Sequence, residues 1–179
     1  MKSLMDIKKS LSEERPAVWA SIPDIDLYMD QVLSYMRRQL FSSRPESSVT
    51  AAMVNNYIRA GIMPRTKHKK YSRDHIARLT IICILKQILS VGDISLLLQM
   101  FPSGHLHEIY EKYREILDSE LTSVMEKVPD EGDEQELADV IVRFAIISYA
   151  NKAAAEHIID MMKNSANKDK EKTKEMKNR

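Results

Sequence analysis

The fold is decided by the stretch Met53-Val-Asn-Asn-Tyr-Ile-Arg-Ala-Gly-Ile-Met-Pro64 and by the Arg65-Thr-Lys-His-Lys-Lys-Tyr71 that follows it. The apolar spacing of the first part predicts a short helix that runs from a cap at Thr50 to about residue 60. Gly61 stands where a helix end favours a left-handed residue, and a proline soon after it prevents continuation. We therefore expect a helix, a tight turn and then a basic loop at residues 62–71.

A long apolar helix is predicted to follow the basic loop. Ser72 is a suitable cap, and the residues up to about Leu89 are apolar around most of the helix circumference. Such a helix belongs at the centre of a hydrophobic core. A shorter helix is predicted at about 93–101, and it ends near Pro102.

Helical spacing and composition predict further segments on both sides of this region. They are a charged lead-in at 1–20, a helix at about 24–41 capped by Asp24, a serine-rich loop at 42–48, helices at about 106–124 and 135–163 that flank a turn at 129–133, and a lysine-rich tail at 165–179. The tail is too polar to bury a core, so we expect it to be disordered.

Charge is unevenly distributed along the chain, although the 179 residues carry a formal net charge of only +1. Residues 59–73 contain basic side chains and no acid, whereas most of the charged residues within 108–136 are acidic. The near-neutral sum therefore hides a basic segment and an acidic one. The four glycines and the scarcity of strand-like segments indicate a mainly α protein, with a small hairpin in the basic loop as the exception.

Nothing in the sequence points to an enzyme, a cofactor, a metal ion or a membrane protein. Cys83 is the only cysteine and lies in an apolar run, which excludes an intrachain disulfide and favours a packing role. His105 and His107 would point in different directions on a helix, and no third ligand is evident. Because the chain lacks a signal core and a membrane-spanning apolar run, we expect a cytoplasmic protein.

The segment from about 49 to 98 resembles the DNA-binding domain of MerR-type regulators. In that family the recognition helix ends in an aromatic residue, a glycine-aliphatic turn and a proline, and the wing ends in a tyrosine before a capped helix. The matching residues here are Tyr57, Gly61, Ile62, Pro64, Tyr71, Ser72, Asp74 and Ile76. An aliphatic helix, a small turn and a short helix then match residues 79–89, 90–92 and 93–98.

Three features depart from the MerR pattern. A long helix and a serine-rich loop replace the usual short helix before the recognition helix. Asn55 and Asn56 replace an arginine-tyrosine pair, and Lys69 replaces the arginine of the wing. The fold tolerates these changes, but the operator preference of the MerR family does not transfer.

A closer resemblance covers roughly residues 20–130. The motifs that carry it are Ile22-Pro-Asp-Ile-Asp-Leu-Tyr-Met-Asp-Gln31, Met53-Val-Asn-Asn-Tyr57 and Lys70-Tyr-Ser72. They are similar to an uncharacterised family of bacterial proteins that is catalogued as domain of unknown function 1836 and usually considered MerR-like. The resemblances together imply a winged helix-turn-helix domain at 21–102, between the lead-in at 1–20 and a helical dimerisation or effector region at 103–164.

Double-stranded DNA is the partner that these residues predict. Asn55 and Asn56 are the candidate base readers, because an asparagine amide can pair with adenine in the major groove; bonding to nearby backbone is the alternative. Thr50 lies at the helix start, where backbone amides and its hydroxyl can approach a phosphate. The candidates for charged phosphate contacts are Arg59, Arg65, Lys67, His68, Lys69 and Lys70. A merely solvated surface is the alternative for that charge run.

We expect a dimeric transcriptional regulator, because a single recognition helix reads too little sequence. The helix at 106–124 would either form the dimer contact or pack against residues 135–163. Two other functions stay open, each with a distinguishing property. A winged-helix adaptor for a protein partner would tolerate neutralisation of Lys67, Lys69 and Lys70. A sensor would hold a small effector, of unknown identity, among the helices at 104–163.

Overall fold

The computed structural model describes residues 3–13, 15–39, 49–101 and 104–177, with side chains up to residue 165. The chain is mainly helical, as the sequence predicts. Its helices are α1 (Leu4–Glu13), a 3-10 helix (Trp19–Ser21), α2 (Met29–Gln39), α3 (Ala51–Arg59), α4 (Arg73–Leu85), α5 (Val91–Met100), α6 (Leu106–Lys127) and α7 (Glu134–Lys177). Within these ranges β-structure is limited to two isolated bridges, which pair Leu27 with Tyr71 and Lys67 with Lys70.

The chain divides into two compact units, residues 1–131 and residues 132–179. The sequence-based division has boundaries after residues 20, 102 and 164. Helix α6 packs against both α4 and α1, so the lead-in and α6 lie in the first unit of the structure. Long-range packing of this kind leaves no local signal in the sequence.

Helix α4 forms the centre of the first unit, as its apolar sequence predicts. Its buried residues lie all around the helix: Ile76, Ala77, Leu79, Thr80, Ile81, Ile82 and Cys83. Thr80 is buried without penalty because its hydroxyl donates to the Ile76 carbonyl at 3.0 Å. The neighbouring helices complete this core with Val32, Met36, Val54, Tyr57, Ile94, Leu98 and Tyr110.

Helix α2 begins at Met29 and not at residue 24, so the predicted cap at Asp24 is wrong. Leu27, just before this helix, is held in an isolated bridge, because Leu27 and Tyr71 exchange two backbone hydrogen bonds, at 2.9 and 2.8 Å. That pairing overrides the helical spacing of the apolar residues. The predicted end of this helix at 41 and the loop at 42–48 lie outside the described residues.

Helix α4 ends at Leu85, before the predicted end at Leu89. The apolar pattern continues, but the chain tightens into i→i−3 turns there: the Gln87 N–H donates to the Ile84 carbonyl at 3.1 Å and the Ile88 N–H to the Leu85 carbonyl at 3.0 Å. Ser90 then caps α5, because its hydroxyl accepts from the Asp93 N–H at 3.1 Å. The predicted short helix is confirmed, with its start at Val91.

Helix α6 packs on residues of the lead-in that showed no clear pattern in the sequence. Tyr110 is buried, and its hydroxyl donates to the Ala17 carbonyl at 2.8 Å. The Glu111 carboxylate accepts from the Trp19 N–H at 2.8 Å. One face of α6 is therefore occupied within the first unit.

Helix α7 belongs to the second unit and continues to Lys177. The sequence predicts a helix only to about residue 163 and a disordered tail from residue 165. The difference has a physical reason, since lysine and glutamate, which dominate the tail, are favourable helix formers even where no core is available. No described helix is both long and apolar enough to cross a membrane.

Candidate nucleic-acid interface

The predicted recognition helix is α3, and Thr50 fixes its start. The Thr50 hydroxyl oxygen accepts a hydrogen bond from the Met53 N–H at 3.3 Å, which satisfies one of the open amides of the first turn. The predicted cap is therefore confirmed. Thr50 is exposed, and its hydroxyl hydrogen can still be donated to an external acceptor.

One face of α3 is polar and exposed. Val54 and Tyr57 are buried, whereas Asn55, Asn56 and Arg59 face outward. The Arg59 guanidinium donates to the amide oxygen of Asn56 at 2.6 Å. Within the described part of the chain, the Asn55 side chain makes no hydrogen bond. Asn55 therefore presents both its donor and its acceptor to solvent, while Asn56 has its oxygen engaged.

The end of α3 is tied to the basic loop (residues 62–71) through the carbonyl of Tyr57. Gly61 has a φ of 72°, which confirms the left-handed residue expected at this helix end. The N–H groups of Ile62 and Met63 then donate to the Tyr57 carbonyl at 3.0 and 3.2 Å. Both side chains are buried. The loop therefore starts from a fixed position at the C-terminal end of α3.

The tip of the basic loop is a two-residue turn. The Lys70 N–H donates to the Lys67 carbonyl at 2.9 Å, and between them His68 and Lys69 have φ values of 51° and 60°. Two consecutive positive φ values are typical of a type I′ hairpin turn, which usually takes asparagine and glycine. Each side chain here costs about 1 kcal/mol relative to ordinary backbone. The turn thus holds two exposed side chains at a conformational cost.

The end of the basic loop is anchored on the opposite side by the Leu27–Tyr71 pairing. Tyr71 is buried, and Arg73 follows it at the start of α4. The Arg73 guanidinium donates to the Ile22 carbonyl at 3.1 Å and lies 5.9 Å from the centre of the Trp19 ring. Arg73 therefore connects α4 to the residues before α2 and is engaged inside the fold.

The remaining basic side chains of this region lack anionic partners. They are Arg59, Arg65, Lys67, His68, Lys69 and Lys70, and among the described residues no carboxylate forms an ion pair with any of them. All are exposed except Lys70, which is half-buried. The arginines and lysines among them are unpaired cations, and together they produce a positive potential that attracts a polyanion.

Tyr28 is a residue of this surface that the sequence did not reveal. The Lys70 ammonium lies 5.2 Å from the centre of the Tyr28 ring, and Tyr28 is 51% exposed. In the sequence, its helical spacing to the apolar residues of α2 predicts a buried position on a helix. Only the Leu27–Tyr71 pairing, which joins segments far apart in sequence, brings it to the basic loop.

His75 connects the basic loop to α4. Its Nδ1 accepts from the Ser72 N–H at 3.2 Å, and its ring meets Tyr71 edge-on with centroids 5.7 Å apart. Burial lowers the pKa of His75, and the opposing effects of nearby backbone and of the carboxylates of Asp74 and Asp26 do not outweigh it. His75 is therefore neutral at pH 7 and serves as a hydrogen-bond acceptor.

The two histidines considered for metal binding have separate partners. His105 Nδ1 lies 3.0 Å from the Glu108 carboxylate, while the His107 ring stacks on Trp19 with centroids 4.8 Å apart. The described residues contain no group of three or more side chains suited to hold a metal ion.

Cys83 is buried in the core, as its apolar surroundings in the sequence predict. Burial raises the pKa of its thiol to about 12. The thiol is therefore protonated at neutral pH and acts as a small apolar packing group.

Comparison with known proteins identifies the family. Residues 17–116, more than half of the chain, match the family described as Domain of unknown function (DUF1836). The matched range contains α2 to α5, the basic loop and the first part of α6. No curated protein and no solved structure matches the chain. This chain is therefore a member of the DUF1836 family.

Proposed function

We propose that this chain is a sequence-specific DNA-binding protein, a bacterial transcriptional regulator with a MerR-like winged helix-turn-helix. In this proposal α3 enters the major groove, and the basic loop is the wing that contacts the neighbouring phosphates. One observation carries the proposal: the exposed asparagine face of α3 is joined, through the Tyr57 carbonyl, to a loop whose cations lack carboxylate partners.

Base reading is assigned chiefly to Asn55. Its amide offers one donor and one acceptor, the pair of groups that matches the major-groove edge of adenine. Asn56 lies on the same exposed face, but Arg59 occupies its oxygen. We therefore expect Asn56 and Arg59 to act together, with the guanidinium also reaching a phosphate or a guanine.

Phosphate binding is assigned to the basic loop. Arg65, Lys67 and Lys69 are exposed, and the tip that carries two of them is held by the Lys67–Lys70 hydrogen bond. A fixed loop loses less conformational entropy on binding than a disordered one. Each phosphate that a cation neutralises makes binding more sensitive to salt.

A homodimer is part of the proposal, because one helix contacts only a few base pairs and specific operators contain paired half-sites. Large apolar side chains of α7 are exposed, among them Ile141, Ile146 and Tyr149, and they could contribute to such contacts.

The test is fluorescence anisotropy with a labelled duplex taken from the region upstream of the protein's own coding sequence. Unlabelled upstream duplex and a scrambled duplex serve as competitors. If the protein is a regulator, the unlabelled upstream duplex is expected to displace the labelled duplex at a lower concentration than the scrambled duplex does. Equal competition by both duplexes would contradict sequence-specific binding. The absence of any binding at low salt, by protein shown to be folded, would contradict DNA binding and favour an adaptor.

The matched variants change charge without changing the core. Lys67→Gln/Lys69→Gln removes two cations from the basic loop, and Lys9→Gln/Lys127→Gln removes two exposed cations from α1 and α6. The first pair is expected to weaken binding to both duplexes, whereas the second pair is expected to leave it unchanged. An equal loss of DNA affinity in both double variants would show that binding depends only on the net charge of the protein.

A further inference from the structure

A cleft opens in the first unit between α4, α5 and α6, away from the residues proposed to bind DNA. Its volume is about 490 Å³, which is in the range of pockets that hold small organic molecules. The side chains that line it are Ile81, Leu85, Leu97, Leu98, Phe101, Glu108, Ile109, Lys112, Tyr113 and Ile116. The sequence-based sensor hypothesis placed a pocket among the helices at 104–163, whereas this cleft has two of its three walls before residue 102.

The walls of the cleft are almost entirely apolar. Phe101 and Ile116 are exposed, which is unfavourable for large apolar side chains unless something covers them. Tyr113 also lines the cleft. Because its hydroxyl is fully buried, the part of Tyr113 that an occupant meets is its apolar ring. An occupant that fits these walls has a hydrocarbon body with few polar groups.

Two charged residues, Glu108 and Lys112, lie among the lining residues and differ in how they are engaged. The Glu108 carboxylate is 3.0 Å from His105 Nδ1. The Lys112 ammonium has the Glu115 carboxylate at 3.5 Å, and both side chains are about 70% exposed, at 72% and 69%. Such a long, solvated pair contributes little. Lys112 is therefore the charge that an incoming ligand can engage at the smallest cost.

We propose that this cleft binds a free amphipathic carboxylate, a small molecule whose hydrocarbon part fills the apolar walls and whose anionic end pairs with Lys112. The proposal does not depend on DNA binding, since none of the lining residues belongs to α3 or to the basic loop. The apolar body supplies most of the affinity, and the ammonium selects the sign of the end group.

The test uses the full chain and three ligands with the same tail and different ends: decanoate, decanol and decylammonium. Binding is measured by isothermal titration calorimetry below the concentration at which each ligand aggregates. Decanoate is expected to bind with one site per chain and about tenfold more tightly than decylammonium, because the cation loses one favourable contact and meets a like charge. Tighter binding of decylammonium would overturn the assignment of the anionic end.

Two variants locate the site. Ile116→Trp places an indole in the cleft and is expected to weaken decanoate binding by about tenfold. Ile88→Trp is the control, since Ile88 is exposed to a similar degree and does not line the cleft. Lys112→Gln is expected to reduce decanoate affinity by about threefold and to leave decanol unchanged.

Several results would overturn the proposal. One is the absence of saturable binding of any of the three ligands by folded protein. Another is an equal loss of affinity in Ile116→Trp and Ile88→Trp, which would indicate adsorption on the general surface. A third such result comes from sedimentation velocity. If Ile116→Trp dissociates an oligomer, and none of the ligands binds the wild-type chain, then a second copy of the chain covers the cleft.

Discussion

At the scale of single residues, Asn55 and Asn56 have different capacities to read a base. Asn55→Ala is expected to reduce the preference for the upstream duplex over the scrambled one by about 1–3 kcal/mol, roughly 5- to 150-fold, because a bidentate contact is lost. Asn56→Ala is expected to have a smaller effect, since its oxygen is already engaged by Arg59. Competition anisotropy measures both. An unchanged preference in Asn55→Ala would exclude it as a base reader.

The turn at the tip of the basic loop gives a second prediction for single residues. Lys69 has a φ of 60°, so Lys69→Gly is expected to stabilise the fold by about 1 kcal/mol through relief of backbone strain. Lys67 does not share that backbone conformation, so Lys67→Gly is the control and is expected to destabilise by about 0.5–1 kcal/mol. Urea unfolding measures both. Destabilisation by Lys69→Gly would contradict the assigned turn.

Gly61 and Gly92 have opposite effects on the stability of their helices, which gives a prediction at the scale of elements. A Cβ at Gly61 would meet nothing within 4 Å, so Gly61→Ala is expected to cost about 1 kcal/mol through its φ of 72° alone. Gly92 lies within α5 in ordinary helical conformation, so Gly92→Ala is expected to stabilise by about 0.5–1 kcal/mol. Thermal unfolding measures the change in stability of each variant. A change of the same sign in both would contradict the different backbone conformations assigned to the two glycines.

The junction of the basic loop and α4 predicts a dependence of stability on pH. Because the pKa of His75 is lower in the folded state than its ordinary value of 6.5, the unfolded chain takes up this proton first as the pH falls. The stabilisation is therefore present above the unfolded pKa and is lost as the pH falls from there through the folded pKa. Urea unfolding between about pH 7.5 and about pH 5.5 is expected to show this loss, and His75→Asn is expected to reduce it. An identical pH dependence in the variant would show that other groups are responsible.

Elements whose signals are local were predictable from the sequence, and those held by distant contacts were not. Thr50 caps α3 through its hydroxyl and Gly61 ends it through its left-handed backbone, so both signals are local. The start of α2 was not predictable, since Leu27 pairs with Tyr71, which comes after α3 in the sequence. The same pairing brings Tyr28 beside Lys70, so this part of the candidate interface was missed. The basic residues themselves were identified because charge without nearby acids is visible in the sequence.

At the scale of the whole molecule, the first unit joins the basic loop and the apolar cleft to one core helix, α4. Helix α4 supports the basic loop at its start, and further along it forms one wall of the apolar cleft with α5 and α6. A ligand in the cleft and a nucleic acid on the loop would therefore contact opposite ends of one buried helix. Coupling between them would require a change in the position of α4, and titration of DNA binding with decanoate measures it directly.

The claim that the basic loop contacts phosphates is tested most directly by the salt dependence of DNA binding. The measurement is the slope of log affinity against log salt concentration for the wild-type chain and for Lys67→Gln/Lys69→Gln. For a bound dimer, the slope is expected to become shallower by about 3.6, because the variant removes two lysines from each protomer and each lost phosphate contact removes about 0.9. Lys9→Gln/Lys127→Gln is expected to retain the wild-type slope. An unchanged slope in the loop variant would contradict the account, because it would show that these lysines do not lie on the DNA backbone.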